Sequence, residues 1–289
     1  MTQSFRSKVV TRRTYNRPLN EEGTIFETWE QTVDRVIGHQ RWLWERAIAW
    51  DLKPEQLAEL EELRELMLAR KTSVSGRTLW LGGTDIAKTC EASQFNCSGS
   101  VVETVYDVVD TIWLLMQGCG VGFKGITGQL TGFRKQLDVY VIRSTRTDKG
   151  NPDNVEFVRD GTWTIRVGDS AQAWSKAAGK LVVGKHNVDK LVLDFSEIRP
   201  AGTRLKGYGW LCSGDGQVSK AFYAIARILN RNSDQLLSKI DILDVENWLG
   251  TILSSRRSAE IALMDYGSPE WKEFVSAKKD RWACNACGH

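Results

Sequence analysis

Six cysteines are the residues best suited to chemistry in this 289-residue chain, and their spacing separates them. Cys97 lies in "EASQFNCSGS", flanked by polar residues and followed by small ones, ahead of a helical run and a glycine cluster. A thiol in such a setting can be a small core filler, a metal ligand or a redox participant. Only Cys284 and Cys287, in "CNAC", have the spacing of a metal or redox pair. Even with His289 they fall short of a full zinc set, so they read either as part of a site completed elsewhere or as two loop cysteines, and no metal ligand is assigned. Cys90, Cys119 and Cys212 stand singly. The N-terminal "MTQSFRSKVVTRR" has no signal-peptide core, so the thiols read as cytoplasmic and reduced, not as a disulfide framework.

Other chemistry is sparse. Three histidines, His39, His186 and His289, form no nucleophile–base–acid arrangement, and His39 reads as a structural helix residue. "GCGVGFKG", Gly118 to Gly125, matches neither the GxxxxGK[ST] loop nor a dinucleotide fingerprint, since its glycines follow a helix and not a strand. It reads as a helix end turning tightly into a buried strand, with Gly118 and Gly120 in unusual dihedrals and Val121 and Phe123 facing the core.

The elements that must position these residues follow from periodicity. Thr24 and Glu27 form a capping-box pattern ahead of Phe26, Trp29, Val33, Val36 and Ile37 at helical spacing. A second helix starting at Pro54 carries Leu57, Leu60, Leu63, Leu66 and Met67 on one face. "KTSVSGRTLWLGGTD" reads as a loop beside a short strand, and the run from Val105 to Met116 as an amphipathic helix. "LDVYVI", "TWTIRV" and "LVLDFS" read as strands, with "SAQAWSKAAGK" and "VSKAFYAIARILNR" as helices between and after them. Such alternation predicts an α/β fold with parallel strands. "RSTRTDKGNPDNVEF" reads as a mobile loop. The composition, 42% apolar and 26% charged with a net charge of +3, gives no case for a nucleic-acid or membrane partner.

Seven segments in order resemble one family, the monomeric adenosylcobalamin-dependent (class II) ribonucleoside-triphosphate reductases. They are "RRTYNRPL", "SGRTLWLGGTD", "FNCSGS", "LLMQGCGVGF", "LVLDFSEIRPAG", "SSRRSAEIAL" and "FVSAKKD", spread from Arg12 to Asp280. The resemblance implies a helical N-terminal region, residues 1–70, then the first half of a ten-stranded α/β barrel over residues 71–289, with an inserted specificity-site segment at about residues 127–192. It implies that Cys97 is half of the thiol pair that gives two electrons to the ribose and becomes a disulfide. Ser73, Ser75 and Asn96 then match substrate-pocket positions, ordinary turn residues being the alternative. Asp169, Lys124 and Arg166 match the allosteric specificity site, where Asp169 would bind an effector ribose or, alternatively, cap the helix that follows. Arg256 and Arg257 of "SSRRSAEI" would sense effector and substrate base. The resemblance also implies adenosylcobalamin as cofactor, held mostly by residues outside this chain. The implied partners are a ribonucleoside triphosphate substrate, a deoxynucleoside triphosphate effector, a thioredoxin-type dithiol reductant and a complementary C-terminal reductase half.

The chain departs from the family where the radical is made. The family's radical cysteine and glutamate lie in an "NPCGE" motif that does not occur here; "NACGH", Asn285 to His289, echoes it only superficially. The second redox cysteine and the C-terminal CxxC are also unmatched. The expectation is therefore the N-terminal portion of a reductase, with a non-catalytic deoxynucleotide-binding remnant as the alternative.

Overall fold

The computed structural model describes residues 4–20, 22–48, 50–205, 208, 210–253, 260–277 and 279. The chain divides into two compact units, Met1–Asn96 with Lys206–Trp210, and Cys97–Leu205 with Leu211–His289.

The first unit is helical. A short helix α1 (Phe5–Val10) runs into a π-helical turn, and α2 (Trp29–Ile48) and α3 (Pro54–Leu68) follow. Val33, Val36, Met67 and Leu79 form the core, with Trp29 and Leu63 against it. The helix start differs from the one the sequence suggests. Asn20 Oδ1 accepts the backbone N–H groups of Thr24 and Ile25 (both 3.0 Å), which folds that stretch into a turn. Thr28 and Gln31 then exchange the capping hydrogen bonds (3.2 and 2.8 Å). Glu27 is left free for a buried ion pair with Arg35 at 2.7 Å. Leu57, expected on the buried face of α3, is exposed, because only the stripe through Leu60 and Met67 meets α2.

The stretch expected to flank a short strand is instead helix α4 (Gly76–Leu81), capped by Ser75 Oγ accepting the Thr78 N–H at 3.2 Å. Arg35 donates to the carbonyls of Leu79 and Gly82, tying α4 to α2. The helical packing thus continues past residue 70, through α5 (Asp85–Thr89), to Asn96.

The second unit holds two sheets and is α/β, as the sequence predicts. Strand β1 (Cys97–Val102), helix α6 (Val105–Met116) and strand β2 (Gly120–Gly125) come first. Gly118 takes φ 81° at the turn into β2, while Val121 and Phe123 point into the core, as expected. Gly120 is not in a left-handed conformation. Strands β3 (Asp138–Ile142), β4 (Val155–Arg159) and β5 (Thr162–Arg166) precede helix α7 (Ala171–Val183) and strand β6 (Lys190–Asp194). They form a four-stranded sheet of order β3-β6-β5-β4, parallel except for the β4–β5 hairpin. That hairpin takes up only the last three residues of "RSTRTDKGNPDNVEF", Val155 to Phe157, while residues 143–154 carry no helix or strand, as expected. Its turn is Asp160–Gly161, at φ 49° and 71°, the Asp-Gly pair favoured where two positive dihedrals must fit between twisted strands.

Helices α8 (Asp215–Arg231) and α9 (Lys239–Gly250), strand β7 (Glu260–Leu263) and helix α10 (Trp271–Ser276) complete the order. Strands β1, β2 and β7 form a parallel three-stranded sheet with β2 in the centre. Phe123, Trp163, Phe195 and Phe222 are among the largest fully buried side chains of the core between sheets and helices. Among the described residues no helix is long and apolar enough to cross a membrane.

Candidate functional site

Cys97 is the first residue of β1, and its thiol is free and exposed. Parallel pairing sets it opposite Gly120, with Gly99 opposite Gly122 and Gly122 opposite Ile261. Alternation along each strand then assigns one face of the sheet. That face carries Cys97, Gly99 and Val101 from β1, Gly120, Gly122 and Lys124 from β2, and Ile261 and Leu263 from β7. The burial alternation agrees: these positions are exposed or half-buried, while Val102, Val121 and Phe123 are buried on the other side. A Cβ built at Gly99 or Gly122 would meet only backbone carbonyls, none nearer than 3.8 Å. The thiol therefore stands beside a floor of bare backbone, open to a ring or to an exchanging dithiol. Gly99, Gly120 and Gly122 were not singled out from sequence as part of a site. Their signal is a strand glycine at every second position, which marks close backbone approach.

The other described thiols are less available. Cys90 is half-buried, and Cys119 and Cys212 are buried. Burial pushes the Cys212 thiol up, and it accepts a hydrogen bond from Gly214 N–H at 3.3 Å. A buried, protonated thiol is a poor nucleophile. Cys284, Cys287 and His289 lie outside the described residues.

Ser73, Ser75 and Asn96 are exposed residues of the helical unit. Ser73 Oγ donates to the Val74 carbonyl at 2.9 Å, and Ser75 caps α4. Asn96 Oδ1 lies 3.5 Å from Arg77 Nε, which places a guanidinium beside the residue preceding Cys97.

The candidate effector residues each have an internal partner. Lys124 pairs with Asp265 at 2.7 Å, and Arg166 with Asp194 at 2.7 Å. Asp169 is buried and accepts both from Arg199 Nε, at 2.8 and 3.0 Å, and from Gly150 N–H at 3.2 Å. Ser170, not Asp169, caps α7, its Oγ accepting the Ala173 N–H. Asp194, Arg199 and Asp265 are thus partners the sequence did not single out, although "LVLDFSEIRPAG" contains the first two. Arg256 and Arg257 lie outside the described residues. The elements around these side chains are closely packed: α6 meets α7 where Gly179 faces Val109, and a Cβ at Gly179 would lie 2.6 Å from Val109 Cγ2.

Space for a large cofactor is not evident in the helical unit. A groove of about 280 Å³ between α2 and α3 is lined by Gln40, Trp44, Leu60, Leu63 and neighbours. It is smaller than the roughly 300 Å³ at which pockets for drug-sized ligands begin, and no histidine lines it. It does not fit a corrinoid. No group of three or more His, Cys, Asp or Glu residues could hold a metal among the described residues.

Comparison with known proteins follows the same lines as the geometry. The ribonucleotide reductase alpha domain matches residues 3–84. The adenosylcobalamin-dependent ribonucleoside-triphosphate reductase of Lactobacillus helveticus (strain DPC 4571) is 29% identical over 96% of this chain, and that of Lactobacillus leichmannii is 28% identical over the same share. The chain spans 44% of the length of each. A crystal structure of a B12-dependent (class II) ribonucleotide reductase superposes with a TM-score of 0.76 at 25% identity, over 95% of this chain and 43% of that one. By sequence and by fold, the chain is similar to a part of the adenosylcobalamin-dependent, class II ribonucleotide reductases.

Proposed function

We propose that this chain is the N-terminal portion of an adenosylcobalamin-dependent reductase that converts ribonucleoside triphosphates to deoxyribonucleotides, and that Cys97 is one of its two redox thiols. The observation that carries this reading is the exposed Cys97 thiol beside the glycine floor of β1 and β2. Two electrons leave a thiol pair as it closes to a disulfide, and an external dithiol of the thioredoxin type reopens it by exchange. Both steps need a thiol that a substrate and a second sulfur can reach. Ser73, Ser75 and Asn96 are the proposed substrate-binding residues, whose short polar side chains suit ribose and phosphate.

In the same reading, the α6–α7 pair and the surrounding segment, residues 127–192, form the specificity site for a deoxynucleoside triphosphate. Lys124, Arg166, Arg256 and Arg257 supply positive charge there, and Asp169 accepts hydrogen bonds from the effector ribose. Adenosylcobalamin is the cofactor of the complete enzyme, and most of its binding surface is assigned to residues other than those of this chain. The radical cysteine, its glutamate and the second redox thiol are assigned there too, in the same or a second polypeptide. The three-stranded parallel sheet would then be part of the larger barrel.

The test is Cys97→Ser in the assembled reductase. Multiple turnover with a dithiol reductant is expected to fall at least about a hundredfold, in line with losses on removing a group that takes part in the chemistry. Cys90→Ser, Cys119→Ser and Cys212→Ser should leave the chemistry intact. Normal turnover by Cys97→Ser would overturn the assignment.

A further inference from the structure

Two surfaces of the helical unit stand open, and they are complementary in shape and in charge. The first is α1. None of its six residues is buried; Phe5 is 83% exposed, and Val9 and Val10 are each 45% exposed. Phe5 and Val9 lie one turn apart on the same face. At about 100° per residue, Arg6 and Lys8 fall on either side of that pair. A helix this short is marginal in water and is ordinarily held by packing of its apolar face. Here its cap is local, Ser4 Oγ accepting the Ser7 N–H at 3.2 Å, and the buried Thr11 follows its end. The apolar stripe between the two cations therefore faces solvent.

The second surface is the groove between α2 and α3. Trp44, Leu60, Leu63 and Leu66 give it an apolar lining, and Glu59 and Glu62 line it beside them. Neither acid enters an ion pair among the described residues; the nearby Arg64 is taken by Asp34 and Glu61. Helix α3 carries five glutamates and one arginine, so the field over the groove is negative. An apolar cavity of about 150 Å³ admits a benzene ring. The groove, at about 280 Å³, has room for the Phe5 ring and part of Val9.

We propose that the α2–α3 groove is the receptor for α1 of a second copy of this chain, with Phe5 seated on Trp44, Leu60 and Leu63 and with Arg6 and Lys8 facing Glu59 and Glu62. This is the helix-in-groove mode, in which an amphipathic helix is read through apolar anchors one turn apart. Arm and groove belong to the same chain, so a two-fold exchange fills both grooves and closes. A one-way contact would leave one arm and one groove open and would propagate. The contact is small and its charges lie at the rim, so the dimer is weak and weakens further in salt. The exchange is independent of the reductase reading, and its test needs no substrate.

The experiment is sedimentation equilibrium of the full chain from about 5 to about 500 µM, in reductant so that no disulfide joins two chains. The mass is expected to rise from one chain to two, and the midpoint to move at least about tenfold higher from about 50 to about 500 mM salt. Phe5→Ala should weaken the dimer at least about tenfold. Two charge-reversed chains identify the partner: one carries Arg6→Glu and Lys8→Glu, the other Glu59→Lys and Glu62→Lys. All four positions are exposed, so the fold should tolerate the changes. Each chain should be monomeric alone, and an equimolar mixture should dimerise, because each arm then suits the other chain's groove. Self-association that persists in both reversed chains, as pairing through β1 or β7 would give, overturns the proposal. So does a mixture that stays monomeric, the result expected if the arm met the groove of its own chain. Amide hydrogen exchange gives a reading on the unaltered chain: protection of Phe5 to Val10 should rise with protein concentration, and equal protection across the range excludes the exchange.

Discussion

At the scale of single residues, Cys97 and Asp169 show how similar sequence signals lead to different physical roles. Among the described residues the Cys97 thiol is exposed, so its value is access. Asp169 sits where water is excluded, and its charge is matched by Arg199 at 2.8 Å, with both side chains largely buried. Removing one member of such a pair leaves the other charge without compensation. Asp169→Ala is therefore expected to cost about 3–5 kcal/mol in urea unfolding. A loss within a few tenths of a kcal/mol would show that Asp169 has no structural part and would return it to a purely ligand-binding role. His39 has the opposite logic. It is buried and stacked on Trp42, and burial, then Lys88 and Arg35, hold its imidazole below the usual value, so it favours the neutral ring. Its expected structural role agrees with this setting.

At the scale of elements, one contact ties a helix of the α/β unit to its strands and another ties two of its helices together. Glu156 on β4 accepts hydrogen bonds from Lys180 of α7 (2.7 Å), from Trp163 Nε1 of β5 (3.0 Å) and, at 3.1 Å, lies against His186. Burial works against its charge, but the hydrogen bonds from Lys180, His186 and Trp163 prevail and lower the carboxyl to about 2. A depressed carboxyl contributes stability that is present above its unfolded value and lost as pH falls through the folded one. Acid unfolding should thus steepen from the ordinary carboxylate range down towards pH 2. Glu156→Gln should be less stable at neutral pH and lose that acid limb. Superimposable acid-unfolding curves for the two proteins would count against this account. The second contact is the α6–α7 crossing at Gly179. Gly179→Ala is expected to cost about 1–3 kcal/mol by overpacking. Val109→Ala in the same chain should recover part of the loss, giving a nonzero coupling in a double-mutant cycle. Additive losses would mean that the helices do not meet there.

At the scale of the whole molecule, the three-stranded parallel sheet is the unfinished part. Parallel strands are ordinarily covered on both faces, yet Val101, Ile261 and Leu263 are exposed on the face of Cys97. Among the described residues, strands β1 and β7 are the two edges of this sheet, where further strands can pair. The chain spans 44% of its relatives and has no "NPCGE" sequence. In the reading proposed above, ribonucleotide reduction requires polypeptide corresponding to the rest of the reductase together with this chain, and the chain without that addition is expected to form no deoxynucleotide. The measurement is deoxynucleotide formation by the purified chain with adenosylcobalamin, a dithiol and a ribonucleoside triphosphate, with and without that addition. Turnover above background by the chain alone would refute the expectation.

The sequence by itself determined the α/β class, the helices α2, α3, α6, α7 and α8, and the strands β2, β3, β5 and β6. These have strong apolar periodicity, and periodicity records which face of an element is buried. It also carried the resemblance to the reductases, because that depends on the order of short motifs and not on their contacts. Only the tertiary structure decided what lies outside local pattern. Helix α4 forms from a glycine- and serine-rich stretch because Leu79 completes a core and Arg35 takes its carbonyls. Glu27, a plausible cap by spacing, is drawn instead into a buried ion pair eight residues along. The open face around Cys97 depends on register, which sets Gly120 and Gly122 beside the thiol across two strands. Spacing along the chain encodes faces, whereas register and packing encode neighbours, and chemistry is done between neighbours.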